Sequence, residues 1–270
     1  MLWVAREISI IARVSFVGAA NQLSEKRYNL RMIALFTDFG STDPYVGQLH
    51  AVLAREAPGV AIVDLFHAVP NFDMRAGAYL LPAYAREFPP ETVFLCVVDP
   101  GVGGARLPVM AHIDDRWYVG PDNGLFSILA RRARRVESRT IRWRPASLSA
   151  SFHGRDLFAS VAAKLARGEQ VESEPSTLSL PTWPDDLAQV IYIDHHGNGI
   201  TGLRGDMLSK DSRLRLGRRS LGYARVYADA KLKQAFWYVN SNGLIEIAVR
   251  EGSAARLLKL RLGTAVRPGK

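Results

Sequence analysis

The chain has 270 residues, of which 48% are hydrophobic and 23% are charged, a composition typical of a folded globular protein. This composition excludes a disordered, collagen-like or coiled-coil protein, and no stretch approaches the roughly 18 uninterrupted apolar residues of a transmembrane helix. The single cysteine, Cys96, excludes a disulfide framework and a zinc site built on paired thiolates. It fits a reducing compartment. We therefore expect a protein of the cytoplasm with one large domain or two smaller ones.

The formal net charge of +9 is compatible with binding to nucleic acid or to an anionic membrane surface. Much of the basic excess, however, is concentrated in residues 1–31, 131–135 and 204–219. No stretch interleaves aromatic side chains with these arginines, as a groove for single-stranded nucleic acid would. A solvated basic surface is the favoured interpretation, and we expect neither a nucleic-acid nor a membrane partner.

Residues 1–31 differ in pattern from the rest of the chain. Arg6, Glu7 and Arg13 interrupt their apolar patch, whereas a signal peptide places its charges before an unbroken apolar run. Met32 stands directly before the first strong strand pattern. We therefore expect translation to begin at Met32 and treat residues 1–31 as an N-terminal extension. An amphipathic targeting or interfacial segment is the alternative.

Strand-like and helix-like patterns alternate over residues 32–169, which predicts a layered α/β domain with a mostly parallel central sheet. The predicted strands are the apolar runs MIALFTDF, AIVDLFH and TVFLCVVD. The predicted helices are PYVGQLHAVLARE, DMRAGAYLLPAYAREF, NGLFSILARRA and GRDLFASVAAKLARG. Pro44 suits the first turn of the first helix, and Pro82 should kink the second.

The pattern changes after residue 169. Residues 170–187 are rich in proline and serine and have no apolar periodicity, which predicts a linker. Residues 188–270 contain QVIYIDHHGNGITGL, typical of strand, turn and strand, and FWYVNSNGLIEIAV, typical of a hairpin around Asn242 and Gly243. KLRLGTAV predicts a further short strand. These spacings predict a small all-β, barrel-like domain.

Polar or potentially functional side chains follow the apolar runs of the first domain. Because ligands of α/β sheets bind beyond the carboxyl ends of the strands, these residues predict an enzyme site. They are Asp38, Asp43, His67, Asn71, Phe72, Asp73, Asp99, Arg106, Asp122, Asn123, His153, Arg155 and Asp156.

Several of these features also have a purely structural interpretation. Asp43 is equally suited to cap the helix that follows it, and a histidine at a strand end, such as His67, is more often structural. The glycines of PGVGGA lack the Lys-Ser/Thr of a phosphate loop and precede a strand-like run. His195 and His196 have no thiolates or further carboxylates nearby, so we predict no metal site.

Six motifs in chain order resemble those of the S-adenosyl-L-methionine (SAM) hydroxide adenosyltransferases, the water-using relatives of fluorinating and chlorinating enzymes. They are TDFG-x₂-D-x-Y, VVDPGVG, PDNGL, FHGRD-x-FA, D-x₂-GN and NS-x-G. The resemblance runs from Met32 to the C-terminus. It implies an enzyme without metal or cofactor that uses water or hydroxide to displace methionine from the ribose C5′ of SAM, leaving adenosine.

The resemblance has two further implications. It implies a homotrimer in which each active site forms between the first domain of one subunit and the second domain of its neighbour. The family is also not known for binding nucleic acid, which agrees with the interpretation of the basic surface.

By motif, the resemblance implies a catalytic set of Asp99, Arg106 and His153. Asp99 would accept or hydrogen-bond the proton of the attacking water, and Arg106 would lower the pKa of that water or hold hydroxide. His153 would fix the direction of the oxygen. An ordinary ion pair between Asp99 and Arg106 is the structural alternative.

The resemblance also implies four substrate-binding residues in the first domain. Asp38 matches the residue that binds the ribose hydroxyls. Asp43 and Tyr45 match positions near the methionine moiety. Phe72 stands where the halogenating relatives have a tryptophan near the ribose and the sulfonium.

Four more substrate-binding residues are implied in the second domain. Asp194 and Asn198 match residues that hold the methionine and adenine ends of SAM, and Ser241 lies in a turn that resembles an adenine-recognition turn. The chain departs from the pattern at Asn242, where halogenating relatives have arginine, and at His196, where an aromatic residue is usual.

Two alternative functions use the same scaffold. A non-catalytic sensor of SAM or adenosine would retain the pocket, although the intact catalytic set argues against it. A halide-using transferase is the other, but the charge of Asp99 would repel an anion. Halogenating relatives carry tyrosine and serine in place of Asp99 and His153.

Overall fold

The structure, a computed structural model, describes residues 31–269. The expectation that residues 1–31 form an N-terminal extension therefore concerns residues that, apart from Arg31, lie outside the described ones. Within residues 31–269, no helix combines the length and the apolar composition needed to span a membrane.

A seven-stranded sheet organises the first domain, as predicted. Its strands are β1 (Met32–Thr37), β2 (Ala61–Phe66), β3 (Val93–Val97), β4 (Pro108–Ile113), β5 (Arg116–Pro121), β6 (Val136–Ile141) and β7 (Ser173–Ser176). Their order is β2-β1-β3-β5-β4-β6-β7. The first four in this order run parallel, and the pairs from β5 to β7 are antiparallel. The sheet is mixed because a two-residue turn, Asp114 and Asp115, joins β4 to β5, and such a turn connects only antiparallel strands.

Helices cover both faces of this sheet. They are α1 (Pro44–Glu56), α2 (Met74–Ala85), α3 (Ser127–Arg132) and α4 (Ala159–Ala166), each within a predicted helical segment. One turn of π-helix, Gly154–Phe158, leads into α4. Alternate residues of β1 point to opposite faces: Phe36 lies in the core under α2, and Leu35 lies in the core under α1 and α4.

The segment 170–187, predicted as a linker, contains the edge strand β7, which pairs with β6. The rest of the segment lies against the first domain. Arg131 donates a hydrogen bond of 2.6 Å from its Nη1 to the carbonyl oxygen of Trp183, and the Tyr79 hydroxyl donates to the carbonyl oxygen of Pro184. The connection between the domains is therefore fixed by polar contacts.

The second domain is a curled, half-barrel sheet of seven strands, as predicted. They are β8 (Leu187–Ile193), β9 (Gly199–Arg204), β10 (Arg213–Leu216), β11 (Arg219–Tyr223), β12 (Ala235–Val239), β13 (Leu244–Val249) and β14 (Arg267–Gly269). Their order is β14-β10-β11-β12-β13-β9-β8. The predicted pairs β8–β9 and β12–β13 are both confirmed.

The strand predicted for KLRLGTAV, residues 259–266, is wrong. The Ser253 side chain accepts a hydrogen bond from the backbone N–H of Arg256 and so starts a short helix, α5 (Ala254–Leu258). Lys259, with φ of 57°, ends that helix, and the strand β14 follows only at Arg267. Within residues 259–266, a turn interrupts the alternating pattern: the N–H of Thr264 donates to the carbonyl oxygen of Arg261 at 3.0 Å, and Gly263 has φ of 79°.

An apolar interface joins the two domains. Leu187 and Ile200 of the second domain lie in the same buried cluster as Tyr79 of α2. The ring centroids of Phe66 and Tyr192 are 5.0 Å apart.

Candidate active site

A cavity of about 440 Å³, here called the first cavity, lies at the carboxyl ends of β1, β2 and β3. Its walls come from segments that follow these strands and from the segment before α4. Its lining residues are Asp38, Phe39, Gly40, Asp43, Tyr45, Asn71, Phe72, Val97, Asp99, Val102, Ser151, Phe152, His153 and Gly154. Of the polar or potentially functional residues listed from the sequence, six line this cavity: Asp38, Asp43, Asn71, Phe72, Asp99 and His153.

Hydrogen bonds between neighbouring loops fix one wall of this cavity. Gly40 donates its backbone N–H to the carbonyl oxygen of His67 at 2.7 Å, and Val69 donates to that of Thr37 at 3.2 Å. The Nδ1 of His67 lies 2.8 Å from the Thr37 hydroxyl, and its Nε2 lies 3.1 Å from Asp64 Oδ1. His67 is therefore a structural residue with both ring nitrogens occupied.

Asp99, Arg106 and His153 are brought together, although 47 positions separate the last two. The Nε of Arg106 lies 3.0 Å from each carboxylate oxygen of Asp99, and its Nη2 also donates to Asp99 Oδ2. The same Nη2 lies 2.9 Å from Nδ1 of His153. Arg106 thus bridges the other two residues.

Burial distinguishes the roles of these three residues. The side chains of Asp99 and Arg106 are only 4% and 10% exposed, so their charges balance inside the protein. Asp99 and His153 line the first cavity, whereas Arg106 is not among its lining residues. Arg106 packs behind them, with its guanidinium carbon 5.3 Å from the ring centre of Phe158.

The contact with Arg106 determines the protonation of His153. Because arginine can only donate hydrogen bonds, Nδ1 of His153 accepts one and the ring proton resides on Nε2. Burial and the positive charge of Arg106 lower the pKa of His153, which favours the same neutral form. His153 therefore presents an N–H donor from Nε2.

The Asp38 carboxylate is held at the mouth of the cavity. Its Oδ2 accepts a 3.0 Å hydrogen bond from the backbone N–H of Phe72. Burial raises the pKa of Asp38, partly offset by that hydrogen bond. Phe72 has φ of 64°, a strained conformation for a bulky residue, and is 70% exposed. Strain of this kind is concentrated at functional sites.

Asp43 and Tyr45 both line the first cavity. Asp43 occupies the N-cap position of α1, but its side chain makes no capping hydrogen bond. Tyr45 packs with Phe39 and Phe152, with ring centroids 5.5 to 5.8 Å apart in the three pairs. Phe39 and Phe152 were not predicted as wall residues, although each adjoins a residue that was predicted for the site.

Other polar clusters stabilise the fold. Asp73 caps α2 by accepting a 2.8 Å hydrogen bond from the N–H of Ala76, and Asn123 donates its amide to the carbonyl oxygen of Val98 at 2.8 Å. Asp122 Oδ1 accepts from the N–H of Ser179. Arg155 and Asp156 form an ion pair with each other. None of these five side chains is among the lining residues of the first cavity.

A separate cavity of about 800 Å³, here called the second cavity, lies in the second domain. Its lining residues are Asp194, His196, Asn198, Tyr227, Tyr238, Asn240, Ser241, Asn242, Glu246, Val249, Glu251, Gly252, Ser253 and Arg256. All four substrate-binding residues predicted in this domain are among them. Tyr227, Tyr238 and Glu246 were not predicted because they carry no recognisable motif of their own. Asn240 begins the NS-x-G motif but was not predicted as a site residue.

The turn between β8 and β9 is built around Asp194 and Asn198. Asp194 accepts hydrogen bonds from the backbone N–H of Asn198 at 2.7 Å and from its side-chain Nδ2 at 2.9 Å. Gly197 has φ of +83°, and a Cβ there would lie 2.1 Å from the Ser253 hydroxyl, so only glycine fits. The buried Oδ1 of Asn198 has no protein partner among residues 31–269. It is free to accept a hydrogen bond from a ligand.

The two cavities share no lining residue. Over the part of the chain that is described, no cluster of three or more histidine, cysteine or acidic side chains is placed to hold a metal ion. Cys96 is a free, buried thiol, and burial raises its pKa, which makes it an inert core residue.

Models of known protein families match both domains of this chain. The SAM hydroxide adenosyltransferase N-terminal domain matches residues 33–174, and the corresponding C-terminal domain matches residues 188–267. The chain belongs to the SAM hydroxide adenosyltransferase family. The resemblance inferred from the six motifs is therefore confirmed.

Individual proteins agree with this assignment. An (R)-S-adenosyl-L-methionine hydrolase of Thermus thermophilus is 39% identical, over 88% of this chain and 99% of the relative. A fluorinase of Nocardia brasiliensis is 26% identical, over 87% and 95% of the two chains. The crystal structure of an uncharacterized conserved protein from Thermotoga maritima superposes with a TM-score of 0.82 at 31% identity, over 88% of this chain and all of that chain.

Proposed function

We propose that this protein hydrolyses SAM to adenosine and L-methionine by attack of water or hydroxide on the ribose C5′. The observation that carries the proposal is the bridged set of Asp99, Arg106 and His153, two of which face the first cavity. SAM is the substrate, and the reaction needs no further cofactor. The hydrolase relative, at 39% identity, supports water as the acceptor over a halide.

The difficult part of this reaction is the nucleophile. The sulfonium leaves as neutral methionine, taking the electron pair of its bond to C5′, so no acid is needed at that end. Water, with a pKa of about 15.7, attacks poorly unless it is oriented and loses a proton as the new bond forms. The residues facing the cavity must therefore act on the water.

We assign one part of that task to each residue. Asp99 accepts the proton of the attacking water as the bond from oxygen to C5′ forms. His153 donates its Nε2–H to the same oxygen and so directs a lone pair towards C5′. Arg106, which does not line the cavity, fixes the positions of Asp99 and His153 through its hydrogen bonds to both. This differs from the direct contact with water or hydroxide that the family resemblance implied for Arg106.

The remaining first-cavity residues bind the substrate in this proposal. Asp38 accepts hydrogen bonds from the ribose hydroxyls, and Phe72 covers the ribose near the sulfonium. Asp43 and Tyr45 contact the methionine moiety. In the second cavity, Asp194, Asn198, Ser241 and Asn242 hold the methionine and adenine ends.

A chromatographic assay with SAM, with and without chloride, tests the reaction. We expect adenosine and methionine in equal amounts, no dependence on chloride, and a loss of about 10²- to 10⁴-fold in rate for Asp99→Asn. Asp122→Asn is the matched control, because that half-buried carboxylate follows the neighbouring strand β5 and, within residues 31–269, its only hydrogen bond is from the N–H of Ser179. SAM binding without turnover would instead indicate a sensor, and a chlorinated nucleoside would indicate a halide-using transferase.

We further propose that the protein acts in the cytoplasm as a homotrimer whose active sites lie between subunits. The separate lining of the two cavities supports this arrangement, because each would then supply half of a site. Light scattering should give three times the mass of one chain. Mixing unfolded subunits of Asp99→Asn and Asn198→Ala, followed by refolding, should give a higher rate at low SAM concentration than either variant has alone. A monomer with full activity would contradict the proposal.

A further inference from the structure

Glu246 is a buried carboxyl group in the wall of the second cavity that the proposed reaction does not use. It lies in β13 and is 5% exposed, between Ile245 and Ile247, which are fully buried. Burial raises its pKa, although hydrogen bonds from Tyr238 and Asn240 act in the opposite direction. A carboxyl group at such a position costs folding free energy unless its oxygens are satisfied.

Both oxygens of Glu246 are satisfied by residues that also line the cavity. Its Oε2 accepts a 2.9 Å hydrogen bond from Nδ2 of Asn240, and its Oε1 accepts one from the Tyr238 hydroxyl. The Oδ1 of Asn240 accepts from the backbone N–H groups of Asn242 and Leu244, each at 3.0 Å. Glu246 therefore fixes the side chain that closes the turn between β12 and β13.

The same carboxyl group is connected to the other substrate-binding turn. The Tyr238 hydroxyl lies 3.4 Å from that of Tyr227, which accepts a 2.8 Å hydrogen bond from Nδ2 of Asn198. That Nδ2 also donates to Asp194. A continuous set of polar contacts thus runs from Asp194 to the turn between β12 and β13, with Glu246 at its centre.

The pairing of β12 with β13 does not depend on the hydrogen bonds of Glu246. β12 and β13 already pair in register over five residues, from Ala235 opposite Val249 to Val239 opposite Ile245. Replacing a buried polar network by apolar side chains of similar volume is often neutral for stability. The polar network instead holds two turns in fixed positions, and the side chains of both turns line the second cavity.

We infer that Glu246 is a positioning residue that holds the two substrate-binding turns of the second cavity in their binding arrangement before the substrate arrives. The inference rests on the proposed function, because it takes SAM as the ligand of those turns. Preorganisation of this kind lowers the cost of ordering the site on binding. It should therefore affect affinity and leave the chemical step nearly unchanged.

Two substitutions at this position separate positioning from packing. Glu246→Leu keeps the volume but removes both acceptors, so Asn240 loses the partner that fixes it. Glu246→Gln retains the network: its Oε1 can accept from Asn240 while its amide donates to the Tyr238 hydroxyl, which then donates to Tyr227. The side-chain amide of Asn240 need not flip, so its Oδ1 still accepts hydrogen bonds from the backbone N–H groups of Asn242 and Leu244.

The test measures steady-state kinetics with SAM and, separately, binding of adenosine and SAM by calorimetry. We expect Glu246→Leu to raise KM and Kd about 10-fold or more with kcat within about 3-fold of the unmodified protein. Glu246→Gln should stay within about 3-fold in both. Tyr238→Phe, which removes only one hydroxyl, should raise Kd by a smaller factor and serves as a second variant if Glu246→Leu does not fold.

A matched control distinguishes this role from general stabilisation. Thr201 of β9 is fully buried in the same sheet, and its hydroxyl donates a 2.7 Å hydrogen bond to the carbonyl oxygen of Ile245. Thr201→Val should lower the melting temperature without changing KM or Kd. Unchanged affinity in Glu246→Leu, or equal losses of affinity in Thr201→Val, would overturn the inference. Absence of turnover by the unmodified protein would instead contradict the proposed function, while the binding comparison would still test Glu246.

Discussion

The two cavities of this protein are built from different parts of the fold and from different chemistry. The first lies at the ends of parallel strands and contains a compact cluster of charge in which Arg106 bridges Asp99 and His153. The second lies among hairpin turns, where the side-chain amides of Asn198 and Asn240 donate hydrogen bonds to the carboxylates of Asp194 and Glu246. The first cavity is suited to act on a water molecule, and the second to recognise a ligand by shape and hydrogen bonding.

This difference has a structural origin. Parallel strands bring residues that are far apart in sequence to one sheet edge, so several charged groups can meet there. A hairpin turn places its own few residues close together, and its backbone hydrogen bonds leave room mainly for short polar side chains. Substitutions in the charged cluster of Asp99, Arg106 and His153 should therefore change kcat most, and substitutions in the second cavity should change KM most.

The sharpest test of this contrast, with a large expected loss of kcat, is Arg106→Lys. Lysine keeps the positive charge that Asp99 requires, but its single ammonium lacks the planar fork that contacts Asp99 and His153 together. We expect kcat to fall about 10²-fold with a small change in KM, measured by adenosine formation. Arg142→Lys, in an exposed ion pair with Glu174, is the control. Unchanged turnover would remove Arg106 from the mechanism.

The next effect concerns His153 and pH. Burial and the charge of Arg106 lower the pKa of His153. The neutral ring, which accepts the hydrogen bond from Arg106, therefore persists at pH values below about 6.5, the usual pKa of histidine. The rate should rise with pH through this lowered pKa and then stay level. His153→Gln should lower kcat about 10- to 10²-fold and remove that limb of the profile. Persistence of the limb in the variant would assign it to another group.

The lowered pKa of His153 should also make the stability of the fold depend on pH. Because the folded pKa of His153 is lower than the unfolded pKa, the unfolded chain binds more protons below pH 6.5. Stability should therefore decrease as pH falls through the unfolded pKa towards the folded one. His153→Gln should reduce this decrease, as measured by urea unfolding at a series of pH values.

A smaller effect, on affinity, is expected for Asp38→Asn. The carboxylate holds the backbone N–H of Phe72 and, in our proposal, the ribose hydroxyls. An amide keeps one acceptor but loses the charge, so KM should rise about 10-fold while kcat changes less. A deoxyribose analogue of SAM should show little difference between the variant and the unmodified protein. Equal losses for both substrates would place Asp38 elsewhere in the mechanism.

Much of this organisation could be predicted from the sequence. The apolar runs predicted the strands β1 to β3, and the rule for strand ends placed Asp38 and Asp99 at one sheet edge. His153 precedes α4 rather than following a strand, and only the family resemblance grouped it with Asp99. The pairing of β4 with β5 and β6 was not predicted, because antiparallel neighbours depend on turn geometry. Tyr238 and Glu246 were missed for a similar reason: their partners are brought together by strand pairing, and an isolated buried glutamate looks like a strand residue in sequence.

The smallest effect is expected for Asp43→Ala, which resolves two interpretations of one residue. As a helix cap, Asp43 would stabilise α1, and its loss would cost about 1 kcal/mol. The side chain makes no capping hydrogen bond, however, and it lines the first cavity. We therefore expect an unchanged melting temperature and a rise in KM of a few-fold. Asp73→Ala is the matched control, because Asp73 does cap α2 and lies outside the cavity lining. It should lower the melting temperature and leave KM unchanged. The opposite pattern would make Asp43 a structural residue that stabilises α1 and does not contact the substrate.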